Sequence, residues 1–143
     1  MVDKFIFVPR VVAEQMVPSE NSVIISYYDK SEAPANLNGW KDVLRIRCHD
    51  TDGTLMGLEV FDAKMADQIS EFAKKHFPEV DHFYVHCQLG QSRSGAIALA
   101  LSEFFKLPCF KQNLRVDTFG YPIYNKLVYS KVLYALHGIE EYS

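Results

Sequence analysis

A nucleophile and a cation lie close together in the segment VHCQLGQSRSG, residues 85–95. Cys87 ends a short apolar run, and Arg93 follows it with five residues between them. Ser94 then adds a hydroxyl group. An ionised thiol is a strong nucleophile, and the planar fork of an arginine can grip two oxygens of a phosphate at once. These residue types predict attack by Cys87 on a bound phosphate, with a covalent phosphocysteine as the intermediate.

Residues 87–93, here called the 87–93 loop, follow a predicted strand and open a predicted helix. We expect Gly90 and Gly95 to let the backbone bend tightly, so that successive N–H groups point inward in front of the positive end of the helix dipole. A thiol beside a cation at a helix N-terminus also ionises more readily than a free thiol. The loop therefore predicts a site for a tetrahedral oxyanion, lined by Gln88, Leu89, Gly90, Gln91, Ser92 and Arg93.

The stretch HCQLGQSRSG, residues 86–95, resembles the signature of cysteine-dependent protein tyrosine phosphatases, His-Cys followed by five residues and then Arg-Ser or Arg-Thr. A weaker resemblance to small bacterial and phage members of the dual-specificity-like branch extends through residues 43–53, 61–77 and 121–136. The resemblance implies the phosphatase fold and hydrolysis of phosphoprotein monoesters without a metal or another cofactor.

The same resemblance implies a role for each residue of the motif. Cys87 would attack phosphorus, while Arg93 and the loop amides hold the equatorial oxygens. His86 would orient the loop and tune the thiolate. Ser94 would help the sulfur to leave when water hydrolyses the intermediate.

The general acid that protonates the leaving oxygen is, by the same resemblance, an aspartate upstream of the cysteine. Asp50 and Asp52 both fit, since they lie in the turn-forming sequence HDTDG just after the strand that ends near Cys48. We favour Asp50, because the branch places its acid directly after the strand, and Asp52 is the alternative. Asp62 is expected instead in the first turn of a helix, where a negative charge complements the helix dipole.

The cysteines Cys48, Cys87 and Cys109 are odd in number and scattered, which is typical of a reducing compartment and lacks the paired spacing of a zinc site. A reversible disulfide between Cys48 and Cys87 would protect the nucleophile from overoxidation. We expect Cys48 to pack as an ordinary buried thiol instead. Tyr27 and Tyr28 end a predicted strand. A place near the mouth of the site is one interpretation, but aromatic strand residues usually pack in the core, and we expect these two to do so.

The elements that position these residues are predicted from the spacing of apolar side chains. Strands are predicted at Phe5–Val8, Val23–Tyr28, Val43–Cys48 and Val80–His86, and helices at 61–77, 93–106 and 124–138. Strands alternating with helices predict an α/β fold with a central, mainly parallel sheet of four to five strands flanked by helices. Ligands bind such sheets beyond the carboxyl ends of the strands, which is where Cys87 lies. The loops from about 28 to 40 and from about 107 to 121 do not firmly match the family named above.

Composition limits the class of protein. The 143 residues contain no linker or repeat, so we expect a single phosphatase domain over 1–143. A net charge of −3 gives no overall attraction to nucleic acid or to an anionic membrane. The apolar stretch at the N-terminus is too short for a signal peptide, and no apolar run is long enough to span a bilayer. A cytoplasmic protein is expected.

The predicted function is therefore a protein tyrosine or dual-specificity phosphatase. Members of the superfamily that accept inositol phosphates often carry lysines in the loop, whereas the loop side chains here are uncharged before Arg93. This favours a protein partner that carries phosphotyrosine, phosphoserine or phosphothreonine, with phosphate or vanadate able to fill the loop. Two alternatives stay open: a phosphate-binding module with little turnover, and a thiol-based sulfurtransferase or arsenate reductase.

Overall fold

The computed structural model describes residues 1–29, 31–48 and 61–139. In this part of the chain one sheet has the strand order β3-β2-β4-β1-β5-β6, and all neighbouring strands are parallel except β5 and β6. The strands are β1 Phe5–Pro9, β2 Ser22–Tyr28, β3 Asp42–Arg47, β4 His82–Cys87, β5 Cys109–Lys111 and β6 Leu114–Val116. The predicted α/β class with a mainly parallel sheet is confirmed.

Helices cover both faces of this sheet. They are α1 Arg10–Gln15, α2 Ala63–His76, α3 Arg93–Phe105 and α4 Lys126–His137. The larger core lies between the sheet and α2, α3 and α4, and a smaller cluster joins α1 to the opposite face. Residues 93–101 of α3 are all buried, as its apolar sequence predicts. Among the described helices, none combines the length and the apolar composition that spanning a lipid bilayer requires.

The sheet has six strands rather than the predicted four to five. The additional pair, β5 and β6, lies in the segment 107–121, where no strand was predicted. Each of these strands is only three residues long, and Gln112 takes a φ of 53° in the turn between them. The glycine-containing turn that usually indicates a hairpin is absent from residues 112–113. The six-residue α1 is likewise too short for helical periodicity to be detected.

Element boundaries differ from the predictions by a few residues. β4 begins at His82 rather than Val80. The third predicted helix ends as expected at Gly138, which takes the left-handed conformation with a φ of 71°. Asp62 precedes α2 as its N-cap instead of lying in the first turn, and its Oδ1 accepts a hydrogen bond of 2.9 Å from the Met65 amide. Its role at the helix N-terminus is therefore capping.

The strand β4 lies between β2 and β1, and its last residue, Cys87, pairs in register with Pro9 at the end of β1. Side chains alternate along a strand, so neighbouring residues serve opposite faces of the sheet. Cys87 belongs to the core beneath α3, whereas His86 faces α1 and is influenced by the charges of Arg10 and Glu14. The 87–93 loop thus starts at the carboxyl edge of the sheet, between two parallel strands.

Candidate active site

The thiol of Cys87 and the hydroxyl of Ser94 meet at the base of the 87–93 loop. Cys87 Sγ and Ser94 Oγ are 3.0 Å apart, within hydrogen-bond distance, and both residues are buried. Cys87 ends β4 and Ser94 lies in the first turn of α3. The strand-loop-helix connection therefore brings together the two side chains that the sequence places seven positions apart.

The loop closes tightly at Gly90. This residue has a φ of 66°, and a Cβ added there would lie 2.2 Å from the backbone nitrogen of Pro9. Only glycine fits both the left-handed backbone and the contact with β1. Gly95, expected to bend the chain, instead lies inside α3, where a Cβ would come within 3.2 Å of the rings of Phe7 and Tyr121. It permits close packing rather than a turn.

Several carbonyls of the loop accept hydrogen bonds from residues outside it. The Arg10 amide donates to the carbonyl of Gln88 at 3.2 Å, and the Asn125 amide donates to the carbonyl of Ser92 at 3.0 Å. The Tyr121 hydroxyl donates to the carbonyl of Gln91 at 3.2 Å. Among the described residues, no hydrogen bond uses the N–H groups of residues 88–92 as donors. Carbonyls bonded to residues outside the loop, with amides that donate to no described residue, fit the arrangement of an anion-binding nest.

Sequence reasoning missed Tyr121 and Asn125, whose contacts with the loop depend on the tertiary fold. Burial, followed by the nearby thiols Cys87 and Cys109, raises the pKa of Tyr121 to about 12. Its hydroxyl therefore stays protonated and donates to the loop at neutral pH. Asn125 also caps α4, since its Oδ1 accepts from the Val128 amide at 3.0 Å. The N-terminus of α4 is thereby tied to the loop.

His86 supports the start of the loop from the opposite face of the sheet. Its Nε2 lies 2.6 Å from Ser26 Oγ, and its Nδ1 lies 3.5 Å from the carbonyl oxygen of Cys87. Burial lowers the pKa of His86 to about 4, so the ring is neutral near pH 7. A neutral ring that carries its proton on Nδ1 donates to the Cys87 carbonyl and accepts from the Ser26 hydroxyl. Both ring nitrogens are then used in orienting the end of β4.

Arg93 supplies the positive charge of the site. It is the first residue of α3 and is only 7% exposed. Its guanidinium carbon lies 5.3 Å from the centroid of the Tyr27 ring. The N-terminus of the 13-residue helix adds the positive end of its dipole at the same place. A buried cation and a helix N-terminus both favour an anion in front of the loop.

The groups gathered in the 87–93 loop are suited to an anion. Within residues 1–29, 31–48 and 61–139, no three His, Cys, Asp or Glu side chains lie close enough to hold a metal. The loop instead combines a thiol, a hydroxyl, a guanidinium and backbone amides. Apart from the thiol, these are hydrogen-bond donors to oxyanions.

No protein-family model matches the chain, and no curated protein matches it significantly. Among solved structures, the chain is similar to one described as "Crystal structure of Tk-PTP in the active form". The two chains are 15% identical, the TM-score is 0.44, and the match covers 93% of this chain and 75% of that chain. They have few residues in common, and the function proposed below depends on the geometry of the 87–93 loop.

The two candidates for the general acid, Asp50 and Asp52, lie outside the described residues. The strand that leads toward them is described as far as Cys48, whose amide donates to the carbonyl of Tyr28 at 3.2 Å. The assignment of the acid is therefore still a prediction from the sequence.

Cys48 is buried, and its Sγ lies 2.6 Å from the hydroxyl of Tyr27. It follows β3, and β2 separates β3 from the Cys87 strand. Two strand spacings separate the Cα atoms by about 9.6 Å across the sheet, and the register offsets them by a further two residues, or about 6.6 Å, along it. Both distances together exceed the roughly 7 Å that a disulfide spans. A disulfide between Cys48 and Cys87 would require the backbone to move, so the geometry favours the expected buried thiol.

Proposed function

We propose that this protein is a cysteine-dependent protein phosphatase that hydrolyses phosphotyrosine, either alone or together with phosphoserine and phosphothreonine. The observation that carries the proposal is the 3.0 Å contact between Cys87 Sγ and Ser94 Oγ at the base of the 87–93 loop. Around that contact, buried Arg93 and loop amides that donate to no described residue are suited to a tetrahedral anion. A nucleophile directly beneath an oxyanion site is what phosphoryl transfer to sulfur requires.

In the first step, the thiolate of Cys87 attacks phosphorus. The S–P bond forms while the bond from phosphorus to the tyrosine oxygen breaks, and that oxygen takes a proton from a general acid. We assign this acid to Asp50, with Asp52 as the alternative. Arg93 and the loop amides stabilise the charge that spreads over the equatorial oxygens.

In the second step, water attacks the phosphorus of the phosphocysteine. The P–S bond breaks, the sulfur leaves as a thiolate, and the proton from water passes to the aspartate that acted as acid. Ser94 donates a hydrogen bond to the departing sulfur, because its hydroxyl is already within 3.0 Å of it. Inorganic phosphate leaves, and the enzyme is ready for another cycle.

A phosphoprotein substrate is supported by the chemistry of the loop surface. Its side chains carry no charge before Arg93, so the site can compensate one phosphoryl group and offers little to a polyanion. Leu89 is 68% exposed on the loop and can make apolar contact with a peptide. Sulfur transfer through a second thiol is disfavoured, because a whole strand separates Cys48 from Cys87.

The proposal is tested by trapping the intermediate. The wild-type protein, mixed with a ³²P-labelled phosphotyrosine peptide and quenched in acid, should carry label on Cys87 and release inorganic phosphate. Cys87→Ser should carry no label and turn over at background rate, with an unchanged fold. A wild-type protein that binds vanadate but forms no phosphoenzyme and releases no phosphate would be a phosphate-binding module instead.

Cys109 provides the matched control, because it is another buried cysteine and lies beside the other end of β1 from Cys87. It pairs in register with Phe5 at the start of β1, whereas Cys87 pairs with Pro9 at the end. Four residues of strand separate these positions by about 13 Å. Cys109→Ser should therefore keep the labelled intermediate and the phosphate release.

A further inference from the structure

Tyr27 touches the loop although the proposed reaction does not use it. The residue lies near the carboxyl end of β2 and is 1% exposed. The register of β2 and β4 pairs Ser26 with His86, so the next residue, Tyr27, lies beside Cys87. The alternation of side chains turns Tyr27 and Cys87 to the same face of the sheet, and both belong to the larger core.

The ring of Tyr27 is held by contacts from different elements. Its centroid lies 5.3 Å from the guanidinium carbon of Arg93, within the roughly 6 Å range of a cation–π contact. The ring of Phe61 stacks at 6.1 Å with an interplanar angle of 23°. The Tyr27 hydroxyl lies 2.6 Å from the thiol of Cys48. Together these contacts fix both the position and the tilt of the ring.

The Arg93 side chain is long and flexible, and a bidentate grip demands one orientation, which contact with a fixed ring favours. A cation–π contact makes no use of the guanidinium N–H donors, so it is compatible with hydrogen bonds to an oxyanion. We infer that Tyr27 is a positioning residue whose ring holds the Arg93 guanidinium in line with the 87–93 loop. The inference rests on the proposed function, since it takes the oxyanion as the partner of Arg93.

Vanadate affinity, measured from the rise in unfolding temperature with vanadate concentration, tests this role without turnover. Tyr27→Leu removes the ring and should weaken vanadate binding by about 10- to 30-fold. Tyr27→Phe keeps the ring and should bind nearly as well as the wild type. Tyr27→Leu with wild-type affinity would overturn the inference.

Tyr84→Leu is the matched control, because it removes a tyrosine ring from the opposite face of the same sheet. That ring packs against Trp40, with the centroids 5.6 Å apart, in the smaller cluster beneath α1. The vanadate affinity of Tyr84→Leu should equal that of the wild type. A loss as large as that of Tyr27→Leu would mean that any disturbed core weakens the loop, and the inference would fail.

A second series separates the electronic effect from packing and applies even where Tyr27→Leu fails to fold. Phenylalanines with increasing numbers of ring fluorines, incorporated at position 27, keep the ring shape but weaken the negative potential on its face. Vanadate affinity should fall stepwise with fluorination. Constant affinity across the series would exclude a cation–π role.

A double-mutant cycle asks whether Tyr27 acts through Arg93. In an Arg93→Ala background the ring has no guanidinium to hold, so adding Tyr27→Leu should leave the residual vanadate affinity unchanged. An equal loss in both backgrounds would show that the ring acts on the loop by another route.

These measurements also separate the inference from the proposed function. A wild-type protein that binds vanadate but does not hydrolyse a phosphotyrosine peptide overturns the proposed function, and the Tyr27 variants still decide the role of the ring. A wild-type protein that does not bind vanadate overturns both.

Discussion

The hydroxyl of Ser26 on β2 lies 2.6 Å from Nε2 of His86 on the neighbouring strand β4. Ser26 thereby fixes the imidazole ring of the residue just before Cys87. The ring is fully buried, and burial lowers the pKa of His86 to about 4. In the neutral ring, Nε2 accepts a hydrogen bond from the Ser26 hydroxyl. In a protonated ring, Nε2 would carry a proton and would be a donor instead. The contact is thus matched to the neutral state.

This pKa predicts that His86 makes the protein less stable in acid. Below about pH 6.5 the histidine of the unfolded chain takes up a proton, while that of the folded protein does so only near pH 4. The unfolded state binds more protons in this window, so the free energy of unfolding falls as the pH falls from 6.5 to about 4, by about 3 kcal/mol from this residue. Urea unfolding at fixed pH values measures the change.

His86→Gln isolates the effect, because glutamine does not titrate while all other acid-sensitive groups are retained. The difference in free energy of unfolding between wild type and variant should shrink by about 3 kcal/mol between pH 7 and pH 4. Parallel curves for the two proteins would show that His86 is not buried in its neutral form.

Two glycines with similar backbone angles should respond differently to alanine. At Gly90, with a φ of 66°, a Cβ would collide with the backbone of Pro9 at 2.2 Å. At Gly138, with a φ of 71°, a Cβ meets no atom of the described residues within 4 Å. Gly138→Ala should therefore lower the free energy of unfolding by only about 1 kcal/mol, the strain of an alanine in the left-handed conformation. Gly90→Ala should lower it by about 3 kcal/mol or more. Equal losses in urea unfolding would contradict the close contact with β1.

Gly90→Ala should also abolish vanadate binding, because the loop can relieve the collision only by moving away from Pro9. The measurement is the rise in unfolding temperature on adding vanadate. Gly138→Ala should keep the wild-type rise.

Much of the geometry of the candidate site was predictable because its residues lie in one stretch of eight positions. Cys87, Gly90, Arg93 and Ser94 follow one another between a strand and a helix, and local rules for glycines and helix N-termini relate that order to an anion site. The strand and helix periodicities also predicted the α/β class and three of the four described helices. The short β5, β6 and α1 have too few residues to show a period.

The supports of the site were not predictable, since they lie far from the loop in sequence. The hydroxyl of Tyr121 reaches Gln91 across 30 positions, and the ring of Tyr27 reaches Arg93 from a different strand. An aromatic residue in a strand or a loop has no spacing that indicates which backbone or cation it will contact. Such contacts follow from the order of strands in the sheet, which a single sequence does not specify.

Arg93→Lys tests whether the charge or the planar fork matters. Lysine keeps the charge but cannot hold two oxygens in one plane. We expect kcat/KM for an aryl phosphate to fall by about 10²- to 10³-fold, the range for loss of a transition-state donor. Arg115→Lys on the exposed strand β6 is the control and should leave kcat/KM unchanged. Near-normal kinetics for Arg93→Lys would mean that this residue does not hold the phosphate.

The last prediction separates Asp50 from Asp52. A general acid matters most when the leaving group is poor, so a tyrosine phenolate of pKa about 10 needs the proton more than a nitrophenolate does. Asp50→Asn should lower turnover of a phosphotyrosine peptide by about 10²- to 10⁴-fold and flatten the alkaline limb of the pH–rate profile. Its effect on a nitrophenyl phosphate should be smaller.

Asp52→Asn is the matched comparison, since it removes the same charge two positions away in the same turn-forming sequence. As a turn residue Asp52 should affect the free energy of unfolding by about 1 kcal/mol and leave the pH–rate profile unchanged. The reverse result would move the acid to Asp52. Two variants that both keep a normal alkaline limb on the peptide would mean that neither aspartate is the acid, and a phosphate-binding module would then account better for the 87–93 loop.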